Sequence, residues 1–388
     1  MKPIVPLSAA TVLLFLSFSL QRPFVPLFME EDLRASITEI GQAAAVLGLM
    51  GLFTAVPAGL LSDRIGRQIP AALGALIWGA ALALVAVASE PSQVILSYAL
   101  AGIGTVLFDA SLTALVGDIS PKGELGRSYG IYNAAVQVGF TVGPAAGAVI
   151  ILESGYRDVF LAVSVLPAAA AALILVSRPQ NTVSQVTDAV DPVAEQVSIH
   201  RNDAIWAGWV STFSFGMLVA GISVLAPLYA RLSGFDDFFI GVLFTVQSVT
   251  GAFGLFTFAH RIDTARHIGL LTAGGLLLTS LSTAGFALSS SWIWLLLMMG
   301  VFGVGGALTF MSATVGVARG TNVANRGTAM GFVSMSRYAG FMFGPWLGSI
   351  IVSSQSSIAT GYAVGFFALA AVSFVGTLLI ILTGRIHR

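Results

Sequence analysis

A chain of 388 residues that is 56% hydrophobic and 9% charged, with a mean hydropathy of +0.91, is not a soluble enzyme, because soluble domains carry about 25% charged residues. Eighteen Lys and Arg balance eighteen Asp and Glu, so net charge points to no nucleic-acid or acidic partner and only the placement of charge informs. The absence of Cys excludes disulfides, thiolate metal sites and thiol nucleophiles, and His200, His260, His267 and His387 form no i, i+4 pair for a metal.

A bilayer crossing takes about 20 apolar residues. Gly, Pro and charge clusters divide the chain into spans at 8–28, 41–61, 69–89, 92–116, 129–152 and 159–176, then 204–230, 239–258, 268–289, 291–317, 328–353 and 360–383. The first is too long for a signal-peptide core and has no clear small-residue cleavage site, so it reads as a retained span. The long polar stretch from Ser177 to Asp203, interrupted by Pro179, Asp188 and Pro192, reads as a linker. These runs are continuous, not short and alternating, and predict an all-α integral membrane protein of twelve helices. The organisation expected is a six-helix bundle over 1–176, a linker over 177–203 and a second bundle over 204–388.

Charge placement sets an orientation. With both termini inside, the inner segments hold Lys2, Arg64, Arg67, Lys122, Arg127, Arg178, Arg201, Arg261, Arg266, Arg319, Arg326, Arg385 and Arg388, and the outer ones only Arg34, Arg157 and Arg231. A missed span would scramble this alternation. The expectation is a multi-pass protein of the cytoplasmic membrane with both termini and the linker cytoplasmic.

An internal repeat decides the architecture. Gly139-x-x-x-Gly143-Pro144-x-x-Gly147 in the fifth span recurs 201 residues later as Gly340-x-x-x-Gly344-Pro345-x-x-Gly348 in the eleventh, and Gly130 and Gly331 share the offset. The two bundles are therefore pseudo-symmetric copies. Glycines at i, i+4 and i+8 make a smooth stripe for close helix packing, and Pro144 leaves the Phe140 carbonyl without its helical donor.

Between the second and third spans lies Gly59-Leu60-Leu61-Ser62-Asp63-Arg64-Ile65-Gly66-Arg67. Gly59 suits close approach of a neighbouring helix, Gly66 a left-handed helix stop, and Asp63 an adjacent helix N-terminus. This run resembles the signature loop of the major facilitator superfamily, and the topology extends the resemblance over the whole chain. The resemblance implies that Asp63 meets the N-terminus of helix eleven and favours the outward-facing state. The second-half loop is degenerate, with His260 where Asp63 would lie. The Gly-Pro motif resembles a signature of the antiporter, mainly exporter, branches. Gly102-Ile103-Gly104 resembles the tail of a proton-antiporter motif, but Tyr98 stands where its Arg is expected.

The family lines its substrate path with helices one, four, seven and ten, which implies contacts from Gln21, Arg22, Asp109, Phe213 and Ser312. Arg22, Asp109 and Arg337 are charges inside spans and hence functional candidates; Asp109 and Arg337 match in depth. Asn133, Gln137 and Gln247 add polar groups within spans. The reading is a secondary transporter with a small-molecule substrate: a proton-coupled exporter of amphipathic compounds acting through Asp109, or an organic-anion or sugar carrier. A non-transporting receptor or scaffold is the alternative from another class. The only macromolecular surroundings expected are membrane lipids, with the chain a monomer. No catalytic set, metal or cofactor is expected, and without a Gly-x4-Gly-Lys-Ser/Thr loop any uphill transport draws on an ion gradient, most simply of protons.

Overall fold

The computed structural model describes residues 4–120, 124–177, 203–265, 267–321 and 326–386. They form twelve helices and no strand: α1 (Ile4–Gln21), α2 (Phe24–Glu31), α3 (Ile37–Ile65), α4 (Gln68–Ala86), α5 (Pro91–Ile119), α6 (Leu125–Val176), α7 (Asp203–Leu232), α8 (Asp237–Thr264), α9 (Ile268–Gly285), α10 (Trp292–Arg319), α11 (Arg326–Ser353) and α12 (Ile358–Ile386). Ten helical stretches among the described residues are long and apolar enough to cross a membrane. One of these, Arg127–Val176, has 50 residues and holds two crossings, and α11, 28 residues long but less apolar, supplies another. The protein is a multi-pass membrane protein with twelve crossings. Nearly all of the linker, 178–202, falls outside the described residues.

Two of these helices are not what continuous apolar runs suggest. The first span, expected as one helix, breaks at Arg22–Pro23 into α1 and α2. Pro23 and Pro26 have no N–H to offer Ser19 and Arg22, so the hydrogen-bond ladder fails there. The fifth and sixth spans join in α6, which turns at Gly155 (φ 80°, ψ 175°), a conformation open to glycine. Gly66 (φ 87°) ends α3, as its place in the motif predicts. At the start of α3, Ser36 and Glu39 cap one another: Ser36 N and Oγ donate to Glu39 Oε2 at 2.8 and 2.7 Å, and Glu39 N donates back to Ser36 Oγ at 3.3 Å.

The chain divides into two compact units, one made of Met1–Arg34, Phe53–Asp191 and Asp237–Thr245, the other of Ala35–Leu52, Pro192–Asp236 and Val246–Arg388. In the first unit, the glycine stripe of α6 lies on α1. A methyl on Gly139 would come 2.7 Å from the Leu16 nitrogen, one on Gly143 would strike Ser19 Oγ, and one on Gly147 would come 2.7 Å from the Leu20 oxygen. Ser19 Oγ donates to the Gly139 carbonyl at 2.7 Å along the same seam. Gly74 of α4 and Gly104 of α5 face one another: a methyl on either would come 2.7–2.8 Å from the other's carbonyl oxygen.

The second unit repeats both seams. Gly340 and Gly344 of α11 close on the backbone of α7 at Phe213 and Met217, with Thr212 Oγ1 donating to the Val333 carbonyl at 3.1 Å. A methyl on Gly275 of α9 or Gly305 of α10 would come 2.8–2.9 Å from the other's carbonyl oxygen, as at Gly74 and Gly104. Without a hydrophobic force between helices inside a membrane, such small-residue seams are what allow the backbone contact that holds them. The first half of α3 packs on α11 in the second unit, where a methyl on Gly41 would come 2.8 Å from the Pro345 oxygen. The first turns of α8 pack on α6 in the first unit, where a methyl on Gly241 would come 2.7 Å from the Pro144 oxygen.

Candidate functional site

Within the first unit, the break between α1 and α2 concentrates polar groups at membrane depth. Gln21, the last residue of α1, is buried; its amide nitrogen donates to the Phe18 carbonyl at 3.1 Å, and its oxygen accepts from the Tyr98 hydroxyl at 3.1 Å. That orients the amide. Arg22 follows in the break and interacts electrostatically with Tyr98. Tyr98, noted in the sequence only as a departure from a motif, is the α5 partner that fixes this cluster. A buried Tyr one helix away from a buried Gln carries no spacing signal that could have paired them.

Asp109 lies ten residues from the end of α5 and is half-buried. Its carbonyl accepts from Thr113 Oγ1 at 2.8 Å; that hydroxyl lies 3.3 Å from the Tyr132 hydroxyl of α6, and Tyr129 donates to the Thr113 carbonyl at 3.1 Å. Asn133 is exposed on α6 and Gln137 half-buried. A second polar cluster, at the α2 and α8 ends, was not anticipated: the Tyr156 hydroxyl lies 2.9 Å from Asp237 Oδ1 and 3.4 Å from Glu31 Oε2, and Arg157 Nε pairs with Asp32 at 3.5 Å.

Within the second unit, Arg337 on α11 stacks its guanidinium over Phe310 of α10 (5.9 Å) and Tyr338 (5.3 Å). Phe213 of α7 lies parallel to Trp209, 5.5 Å between centroids and 2° between planes, and the row continues through Phe343 at 6.0 Å from Phe213 and Phe332 at 6.3 Å from Trp209. Trp206, Phe343 and Trp346 remain 36–44% exposed. Ser312 is fully buried and accepts from Thr272 of α9 at 2.9 Å while donating to the Leu308 carbonyl at 2.5 Å, so its hydroxyl is spent between α9 and α10. Gln247 is half-buried on α8. Asp109 and Arg337 belong to different units.

Most of the signature run is the last turns of α3 and not a loop. Among the described residues, no atom comes within 4 Å of a methyl built on Gly59. Asp63 pairs with Arg67 one turn on, and Arg67 also reaches Asp118 at the end of α5 at 3.4 Å and Ser62 Oγ at 3.3 Å. Arg67 therefore ties the end of α3 to the end of α5. Arg64 is exposed. The N-terminus of α11, the expected partner of Asp63, belongs to the other unit, and residues 322–325 just before it fall outside the described residues.

The comparisons with known proteins decide the family. The Major Facilitator Superfamily model matches residues 7–270 and 234–387. This chain belongs to the Major Facilitator Superfamily. Quinolone resistance protein NorA of Staphylococcus aureus (strain MRSA252) is 22% identical over 226 residues, 58% of this chain and 56% of that protein. "Probable L-galactonate transporter" of Escherichia coli (strain K12) is 27% identical over 253 residues, 61% and 56%. An uncharacterized MFS-type transporter of Methanocaldococcus jannaschii is 22% identical over 322 residues, 81% and 82%. The chain thus spans just over half the length of the first two. Among solved structures, the nucleoside transporter NupG aligns with a TM-score of 0.80 at 15% identity over 99% of this chain and 99% of that one. A bacterial homolog of the human lysosomal transporter Spinster gives 0.80 at 15% over 98% and 96%. Both show the fold.

Proposed function

We propose that the chain is a secondary active transporter of the cytoplasmic membrane that exports small amphipathic compounds by alternating access, driven by a proton gradient through Asp109. The observation that carries this reading is a half-buried carboxylate ten residues from the end of α5, at a depth where an ionisable side chain is a functional candidate by default. The aromatic row of Trp209, Phe213 and Phe332 supports an amphipathic substrate, since ring faces bind flat apolar groups and cations alike. The likeness to NorA agrees with export. The excess of Lys and Arg at alternate connections supports both termini in the cytoplasm.

In proteoliposomes, wild type should accumulate substrate against its gradient when a pH difference is imposed, and Asp109→Asn should retain only downhill exchange. Undiminished gradient-driven accumulation by the variant would refute coupling through Asp109. Arg22 and Arg337, both at membrane depth, favour a second reading, an organic-anion carrier, consistent with the likeness to a galactonate transporter. A thermal-shift comparison of sugar acids with lipophilic cations separates the two, because the substrate stabilises by mass action.

A further inference from the structure

Thr245 of α8 has a hydroxyl that is buried and without a hydrogen-bond partner. Helical threonines ordinarily return the hydroxyl to a carbonyl one turn back, as Thr250 does to Val246 (2.8 Å) and Thr212 to Gly208 (2.7 Å). Thr245 makes no such bond. The facing helix carries the complementary deficit, since Pro144 has no N–H and leaves the Phe140 carbonyl without its helical donor.

Gly241 sets the register between these groups. A methyl there would lie 2.7 Å from the Pro144 oxygen and 2.6 Å from Ala148 Cβ. The first limb of α6 and α8 are the fifth and eighth crossings and run in opposite directions. One turn along α8, from Gly241 to Thr245, therefore corresponds to one turn back along α6, from the Pro144 oxygen to the Phe140 oxygen. A donor without an acceptor and an acceptor without a donor stand at one level. The other repeat lacks the device: a methyl on Gly41 would come 2.8 Å from the Pro345 oxygen, but the position equivalent to Thr245 is Ala45.

We infer that Thr245 Oγ1 and the Phe140 carbonyl are the two ends of a hydrogen bond made only in the other end state of the transport cycle, after α8 has shifted on α6. The inference rests on the alternating-access reading. Unmet in the packed state, the pair penalises that state; once met, it rewards the other, so a single hydroxyl biases the exchange. Thr245→Val, nearly the same shape, removes the penalty and the reward together. It should shift the population toward the packed state by about 5- to 150-fold.

Spin labels at Leu152→Cys and Phe238→Cys, introduced into this Cys-free chain, read the separation of α6 and α8 within the first unit. Wild type should show a short and a longer population, Thr245→Val mainly the short one, and Thr245→Ser, which keeps the hydroxyl, the wild-type distribution. An unmoved Thr245→Val distribution overturns the inference. So does an equal shift in Thr245→Ser, which would assign the effect to packing, or a shift toward the longer population, which would mean that the hydroxyl is already satisfied in the packed state by bound water. A single wild-type population under every pH and substrate condition overturns the alternating-access reading, and the inference with it.

Discussion

Gly344→Ala should separate two helices by their backbones. The added methyl would collide with the Met217 carbonyl and come 2.9–3.0 Å from the Met217 carbonyl carbon and Cα. None of these atoms belongs to a flexible side chain, so α7 and α11 have to part. Overpacking of this kind costs about 1 to 3 kcal/mol. The same seam holds Thr212 Oγ1, 2.5 Å from Ser336 Oγ and 3.1 Å from the Val333 oxygen; stretching one such bond adds about 1 kcal/mol. Gly331→Ala is the matched control on the same helix: no atom lies within 4 Å of its added methyl, and Ala is about 1 kcal/mol the better helix former. Unfolding midpoints of the two variants in detergent should move in opposite directions, with Gly344→Ala lower and Gly331→Ala unchanged or higher. Equal losses, or no loss at Gly344, would refute the backbone seam as the source of stability in this unit.

Tyr98→Phe leaves the oxygen of buried Gln21 without its donor and should cost about 1 to 3 kcal/mol, read as a lowered unfolding midpoint that Gln21→Leu in the same background partly restores. Asp63→Asn should change stability by less than about 1 kcal/mol, because its pair with Arg67 is largely exposed, whereas Arg67→Gln loses Asp118 as well and should lower the midpoint further. Tyr156→Phe should loosen α8 from α2 and raise hydrogen exchange at the first turn of α8, and unchanged exchange would show that the shared phenol holds neither carboxylate. Labelling of Ser184→Cys with an impermeant reagent should require opened cells; labelling from outside intact cells would reverse the topology.

The crossings were legible because hydropathy and charge alternation are properties of long windows, and the same is true of the repeated Gly-Pro stripe. The break at Pro23 was legible in principle, but a proline in an apolar run reads equally as a tolerated kink, as Pro144, Pro167, Pro227 and Pro345 prove to be. Gly59 is a different case: a motif records residue types and not the neighbours that use them. Ser312 lies on the helix the family assigns to the substrate path, yet Thr272 takes its hydroxyl. Helical phase places a residue on a face, and only packing says what the face meets.

The two halves agree in one class of residue and differ in another. Gly74 and Gly104 recur as Gly275 and Gly305, and Gly139, Gly143 and Gly147 as Gly340, Gly344 and Gly348; all but Gly348, which meets the Leu225 and Leu369 side chains, close on a neighbouring backbone in their own unit. At the same offset, Gln21 becomes Ile222, Arg22 becomes Ser223, Tyr98 becomes Met299 and Asp109 becomes Phe310, while Arg337 stands against Val136. Close packing inside a membrane constrains every copy of a helix pair alike, so the glycines stay paired. Charge at membrane depth costs several kcal/mol wherever it stands, so it persists only where it binds, couples or switches. A device present in both copies would act equally on both ends of the cycle and favour neither. On the proposed reading, the unpaired residues are the candidates for direction and selectivity, and the paired glycines are the frame that lets them differ.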